Sequence, residues 1–320
     1  MATGMTMTVN ALLTIVVCSR NRPAQLQGWW AHLCTIAAGT TTSVLIIDQS
    51  VTAPQLPSAP NLRVIHRPGR GLARARNLAL AQATTPYVAF CDDDCRPDYA
   101  WIDAITAVIH QHPEVAVVFG AVWPSGSDYH LHHHHTPAGS TVWASRSDGQ
   151  VCSALRIAPT AASYTHPVAP LECLGQGNNM IVARAAVTRW GGFHPWLGAG
   201  AWLEAGEDVE FTLRLLSHGA HCLYDPQVRL CHDAWQTPAS LTATEHGYSV
   251  GMLAVHVWYA LNGMTVAREY LHFRFYSAKK TLGASGEGAT RSAAFLWARG
   301  WALAKGIIGG IVLWLVKWGR

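Results

Sequence analysis

Charge is scarce in this chain. Asp, Glu, Lys and Arg make up only 13% of its 320 residues, and lysine is missing altogether until Lys279. The other three lysines, Lys280, Lys305 and Lys317, follow in the tail, where Gly263–Arg320 carries nine Lys or Arg against two Glu. The formal net charge of +4 therefore conceals a mildly acidic body. A body of that sign is not built as a nucleic-acid groove. It suits the binding of cations, and the basic tail suits anionic lipid. Long apolar runs are also missing, although half the residues are hydrophobic and 14 are Trp. Gly306–Val316, the longest charge-free run of the closing segment, falls short of the about 20 residues that cross a bilayer. Residues 1–11 contain no basic residue. A secretory signal is therefore not expected, and the reading is a cytoplasmic protein at the inner face of the membrane. The eight cysteines (Cys18, Cys34, Cys91, Cys95, Cys152, Cys173, Cys222 and Cys231) are scattered rather than paired. They read as free thiols in a reducing compartment. Cys91 and Cys95 have no second close pair to complete a zinc site.

What is present is alternation. LLTIVVC (12–18), SVLIIDQS (43–50), LRVIHR (62–67), YVAFCDDD (87–94) and VAVVFGAV (115–122) are apolar, β-branched runs. Such runs suit strands covered on both faces. Between them, residues 24–38, 72–83 and 99–110 read as helices. The pattern predicts an α/β fold, a mostly parallel sheet with helices on both faces. Ligands of such sheets bind beyond the carboxyl ends of the strands. Asp48 and the Asp92-Asp93-Asp94 run stand at two such ends. Residues 123–170, rich in Ser, Pro, Gly and His, read as an irregular insertion with one hairpin, and HLHHHH (130–135) as a polar loop.

Three adjacent carboxylates repel one another unless something positive offsets them. A second acidic cluster, Glu207-Asp208, opens a helix predicted to end near Gly219, where the helix dipole favours negative charge. HCLYDPQVRLCHD (221–233) reads as a strand pair or a bent strand with His232 near its end, and imidazole can ligate a metal beside carboxylates.

These pieces in order, TIVVCSRNRP, SVLIIDQS, RPGRGLARARNLAL, YVAFCDDDCRPD, LGQGNNMIVARAAVTRWGGF and GEDVEFTLRL, resemble the inverting family 2 glycosyltransferases of the GT-A, Rossmann-like fold. The resemblance covers residues 12 to about 233. It implies a catalytic domain over 10–233 and a helical C-terminal extension over 234–320. It also implies a donor of the nucleotide-diphospho-sugar class, with UDP or dTDP favoured, and Mn²⁺ or Mg²⁺ as cofactor. By that resemblance Asp94 ligates the metal, with Asp92, while Asp92 or Asp93 holds the nucleotide side. His232 completes the metal shell or touches the diphosphate. Asp48 meets the base, and Arg20 and Arg76 reach the nucleotide, with Arg74 competing for the second role. Asp208 is the base that deprotonates the acceptor, with Glu207 orienting it or serving instead. Asn178, Asn179, Trp196 and Trp202 are the candidate sugar contacts. The acceptor implied is a saccharide or a lipid-linked sugar, in the synthesis of cell-surface polysaccharide or glycolipid. A sugar nucleotidyltransferase and a non-catalytic sugar-binding protein of the same fold are the alternatives.

In the tail, SVGMLAVHVWYALNGM (249–264) reads as a helix at the short end for a span. The last segment alternates Trp297, Trp301, Trp314 and Trp318 with Arg299, Lys305, Lys317 and Arg320. Trp and basic residues favour the membrane interface. The expectation is a helix lying on the membrane surface, against the alternatives of a core helix pair or an oligomer contact.

Overall fold

The structure, a computed structural model, describes residues 12–37, 42–136, 139–168, 174–283 and 293–316. Leu13–Ser19 (β1) is buried along nearly its whole length, as an apolar β-branched run requires. Pro23–Ile36 (α1) begins on Pro23, whose fixed φ suits a first turn. It buries Leu26, Trp29, Trp30 and Leu33. Ser43–Asp48 (β2), Leu62–His66 (β3), Leu72–Gln82 (α2) and Tyr87–Cys91 (β4) follow. The four strands run parallel in the order β3-β2-β1-β4, with Ser19 paired to Asp48 and Val16 to Phe90. The end of β1, Asp48 and the Asp run therefore share one edge of the sheet.

Cys95–Pro97 (β5) is a strand that the sequence reading missed. It takes Pro97 into a ladder and shifts the start of the next helix, Trp101–Gln111 (α3), past Tyr99. Val117–Pro124 (β6) comes next. The insertion is not irregular. It holds His130–Thr136 (β7), Gly139–Ser145 (β8), Val151–Leu155 (β9) and Ala162–Tyr164 (β10). The histidine tract is a strand rather than a loop, and β7, β8 and β9 form a second, antiparallel sheet. Alternating polar residues conceal such strands when the partner face is also polar.

Asn179–Ala183 (β11) runs antiparallel between β4 and β6, followed by Arg184–Trp190 (α4) and Glu207–Ser217 (α5). Cys222–His232 (β12) is one strand bent by a register shift between Asp225 and Arg229, parallel to β6. Trp235–Gln236 (β13) closes the second sheet.

The tail forms Pro238–Leu261 (α6), Thr265–Gly283 (α7) and Ala293–Val316 (α8). The side chain of Thr237 caps α6 by accepting from the Ser240 N–H. Glycines let the helices meet closely: a Cβ at Gly306 would lie 2.8 Å from Leu253 Cβ, and one at Gly310 2.5 Å from Val257 Cβ. A core helix pair is thus part of the answer, with the opposite face of α8 exposed. No described helix is long and apolar enough to cross a membrane.

His256 joins two of these helices. It is buried on α6, Nδ1 lies 2.7 Å from the Met252 carbonyl, and the ring stacks on Tyr270 of α7 at 3.7 Å. Burial, with Arg274 nearby, depresses its pKa to about 4 although the Met252 carbonyl acts the other way. An unfolded histidine takes up its proton near pH 6.5. The stability from the neutral ring is therefore complete above pH 6.5 and lost as pH falls toward 4, by up to about 1.4 kcal/mol per pH unit. We expect His256→Phe to show a smaller fall in melting temperature between pH 7 and pH 4.5 than the parent protein. Equal slopes would remove His256 as a source of acid sensitivity.

Candidate active site

The site is assembled from loops at the sheet edge. β1 delivers Ser19, Arg20 and Arg22, and β4 delivers the Asp run. The first turn of α5 delivers Glu207 and Asp208, and the end of β12 delivers His232. Gly206 precedes α5 in the left-handed region (φ 84°), which glycine tolerates without strain.

Arg76 of α2 lies beneath both acidic clusters and is 2% exposed. Its Nη1 donates to Glu207 Oε1 at 2.7 Å, its Nη2 donates to the Gly177 carbonyl at 2.8 Å, and Nη2 stands 3.5 Å from Asp92 Oδ1. The guanidinium carbon lies 5.6 Å from the ring centres of both Phe90 and Phe193. The expected reach of Arg76 to a nucleotide is corrected: it is enclosed and its donors are committed. Gly177 turns its N–H to Asp208, donating to Oδ2 at 2.8 Å. Burial and the adjacent Asp208 push Glu207 up to about 7, against the pull of Arg76.

The three aspartates have different surroundings. Asp92 is one-third exposed. Asp93 is buried, and its oxygens accept from Ser19 Oγ and Arg22 Nη1, both at 2.6 Å. Burial pushes Asp93 up to about 6, although Ser19 and Arg22 act the other way. It is a tether between β1 and β4, not a free nucleotide contact. Asp94 accepts from Arg22 Nη2 at 2.9 Å through Oδ2. Its Oδ1 is buried without a hydrogen-bond partner, 3.5 Å from His232 Nε2. Burial opposes the charge of Asp94, but His232 and Arg22 hold it well below the usual carboxylate range. His232 is correspondingly raised to about 10, although burial works against it.

Ligand atoms of Asp94, Cys95 and His232 lie within 4.8 Å of one another. The third member is Cys95 in place of the expected Asp92. Burial raises that thiol far above its ordinary pKa.

Asp48 is 1% exposed, and its carboxylate accepts from Ser50 Oγ and pairs with His66 Nδ1, both at 2.6 Å. It positions those two side chains rather than offering an open edge to a base. Arg20 is exposed, and its Nε donates to the Gly69 carbonyl at 2.7 Å, joining the β1 loop to the RPGRG turn. Asn179 is wholly buried, donating to the Ala121 and Val228 carbonyls and accepting from Trp101 Nε1. The expected sugar contact at Asn179 is corrected to a core polar knot. Asn178 keeps a buried Oδ1 without a partner. Trp196 and Trp202 meet edge to face at 6.0 Å, with Trp202 44% exposed at the rim.

Arg22 and Tyr248 are the residues sequence reasoning missed. Arg22 stands inside the quoted TIVVCSRNRP segment but looks like any loop arginine. Tyr248 belongs to α6, half-exposed, in the field of Asp92, Asp94, Glu207 and Asp208. Nothing in the tail's sequence pattern pointed it toward the site.

The family model described as "Glycosyl transferase family 2" matches residues 14–162. The curated relatives matched are two proteins of Mycobacterium tuberculosis strains named "Pre-mycofactocin glycosyltransferase". They are 27% identical over 229 residues, 69% of this chain but only 42% of theirs. The chain thus spans well under half the length of these relatives. Solved structures share the fold. A mannosyltransferase of Pyrobaculum calidifontis, in complex with GDP-Man and Mn²⁺, aligns with a TM-score of 0.56 at 16% identity, covering 96% of this chain and 87% of that one. S. aureus TarS 1-349 gives 0.51 at 15%, over 96% and 91%. GalNAc-T7 with UDP, GalNAc and Mn²⁺ gives 0.51 at 13%, over 95% and 57%.

The Arg76–Glu207 pair generates a stability prediction. Removing one partner of a buried ion pair strands the other charge, a cost of about 3–5 kcal/mol. We expect Arg76→Met to lose up to that much in urea unfolding at pH 8, and less at lower pH where Glu207 takes up a proton, and Glu207→Gln added to it to recover most of the loss. Additive losses in the double-mutant cycle would show that the two are uncoupled.

Proposed function

We propose that this chain, whose residues 14–162 match the family 2 glycosyltransferase model and whose fold is GT-A-like, transfers a sugar from a nucleotide sugar with inversion, using a divalent cation at Asp94 and His232 and Asp208 as the base. The match over residues 14–162 favours this reading over the nucleotidyltransferase and non-catalytic ones. The observation that carries the proposal is Arg76, which packs the Asp run and the Glu207-Asp208 turn against one cation.

A metal fits the donor set. Asp94 Oδ1, which accepts no hydrogen bond, and the His232 nitrogen 3.5 Å from it are a hard oxygen and an imidazole, suited to Mn²⁺ once the ring gives up the proton that Asp94 helps it hold. When bound, the cation neutralises charge developing on the departing diphosphate. Two of the structural neighbours contain Mn²⁺. Asp208 keeps its carboxylate aimed by the Gly177 N–H. The first turn of α5 favours the negative charge it needs. From there it takes the proton of the acceptor hydroxyl as that oxygen attacks the anomeric carbon. Glu207, bonded to Arg76, orients the turn. Trp196 and Trp202 offer apolar faces to the C–H surface of a sugar. The neighbours hold GDP-mannose in one case and UDP in another. With Asp48 enclosed, the earlier preference for UDP or dTDP loses its basis, and all three bases stay open. The acceptor is a saccharide or lipid-linked hydroxyl.

The tail supports the lipid-linked option. The outward face of α8 exposes Trp301, Ile308, Ile311, Trp314 and Leu315. The surrounding tail is the basic part of the chain. Aromatic and apolar side chains beside Lys and Arg suit the surface of an anionic bilayer.

Two measurements test these readings. Asp208→Asn should lower transfer by about 10²–10⁴-fold, while UDP, dTDP or GDP binding measured calorimetrically with Mn²⁺ stays at the parent level. Retained transfer would reject Asp208 as the base. The full chain should float with vesicles containing acidic phospholipid and not with zwitterionic ones, and Trp301→Ser with Ile308→Ser should abolish flotation. Flotation that is indifferent to lipid charge and to these changes would reject α8 as the contact.

A further inference from the structure

The proposed cation site already contains a cation. Arg22 lies across two members of the Asp run, donating through Nη1 to Asp93 Oδ1 and through Nη2 to Asp94 Oδ2. The two aspartate side chains are 3% and 13% exposed, whereas that of Arg22 is 41% exposed. The arginine is therefore the most exposed of the three. Its two attachments are not equivalent. Asp93 is held independently by Ser19 Oγ at 2.6 Å and has no open oxygen. Among the described residues Asp94 Oδ2 has no second donor, and its Oδ1 accepts no hydrogen bond but faces His232 Nε2 at 3.5 Å, an ion pair while that ring is protonated.

We propose that Arg22 is a built-in counter-ion that competes with the divalent cation for Asp94 and then serves the donor's diphosphate. This rests on the cation reading of the site. Before donor arrives, Arg22 offsets the repulsion among Asp92, Asp93 and Asp94. A unit positive charge beside Asp94 disfavours a free divalent cation there by direct Coulomb repulsion. When the cation arrives with its nucleotide, Arg22 stays on Asp93 through Nη1 and turns the Nη2 edge to the diphosphate oxygens. The same charge that repelled the free ion now attracts the anionic complex. A planar fork with two separable donor edges can hold one carboxylate and release the other, which a lysine ammonium does less well. The site is thereby biased toward the metal–nucleotide complex over the bare metal.

The alternative is a plain tether, with Arg22 only holding the β1 loop to the Asp run. The two differ in sign. We would titrate Mn²⁺ alone into the full-length protein by electron paramagnetic resonance, then UDP and GDP by calorimetry at saturating Mn²⁺. The proteins are the parent, Arg22→Gln, Arg22→Lys and Arg22→Gln combined with Asp94→Asn. The expected result for Arg22→Gln is Mn²⁺ bound about tenfold more tightly and the better nucleotide about tenfold more weakly. Arg22→Lys should keep the parent's Mn²⁺ affinity, which guards against a change that merely loosens the loop. Unchanged or weaker Mn²⁺ binding in Arg22→Gln overturns the proposal. If Arg22→Gln combined with Asp94→Asn binds Mn²⁺ as tightly as Arg22→Gln alone, the cation reading itself fails.

Discussion

The buried guanidinium of Arg76 is the interaction on which the site depends. Burying one arginine among apolar residues is costly unless its donors are met by carboxylates and carbonyls. Here Glu207, the Gly177 carbonyl and Asp92 meet it, and Phe90 and Phe193 flank it. Those partners come from β4, the loop before β11, and the first turn of α5. One charge therefore fixes the mutual position of three segments that are remote in sequence. The backbone is fitted to it: a Cβ at Gly177 would lie 2.7 Å from Arg76 Nη1. The same glycine then presents its N–H to Asp208, so the placement of the proposed base follows from that of the buried arginine.

The rest of the fold brings acidic groups to this arginine. The parallel strands put Ser19, Asp48 and the Asp run at one edge. β12 returns His232 to it, and β5 holds Cys95 opposite that histidine. The C-terminal helices take part as well. A Cβ at Gly251 of α6 would meet the Ala205 carbonyl at 2.2 Å, and one at Gly206 would meet Gly251 at 3.3 Å. Lys305 of α8 pairs with Glu204 in the same loop. The turn that carries Glu207 and Asp208 is thus pressed from outside by the tail. These residues lie beyond the family match, which ends at residue 162.

Much of this was legible in the sequence, and the limits have physical reasons. The strands β1, β2, β4 and β6 are continuous apolar runs, and such runs announce themselves. The Asp run and Glu207-Asp208 stood out because clustered carboxylates need a cause. Only one hairpin was expected in the insertion, and β5, β9 and β10 stayed hidden because such short strands leave little hydrophobic signature. The roles of Asp48, Arg76 and Asn179 were misjudged in one direction. Each was taken to face a ligand, and each is enclosed with its polar atoms satisfied. A sequence shows that a polar residue ends a strand, not which side of the edge it faces. For Asn179 the decisive fact is Trp101, 78 positions away, whose indole N–H needs an acceptor.

The clusters also explain why two arginines serve one cleft. Asp92, Asp93, Asp94, Glu207 and Asp208 form five carboxylates around one cleft. Partly buried like charges cannot all ionise without positive neighbours. Arg76 supplies a permanent one: at 2% exposure it cannot leave without stranding Glu207. At Asp94, Arg22 takes Oδ2 and leaves Oδ1, the oxygen that faces His232, clear of the guanidinium. This second arginine is half-exposed, tied firmly to Asp93 and singly to Asp94. Division of labour by burial follows: the enclosed arginine sets the geometry, and the half-exposed one offsets the charge of Asp93 and Asp94.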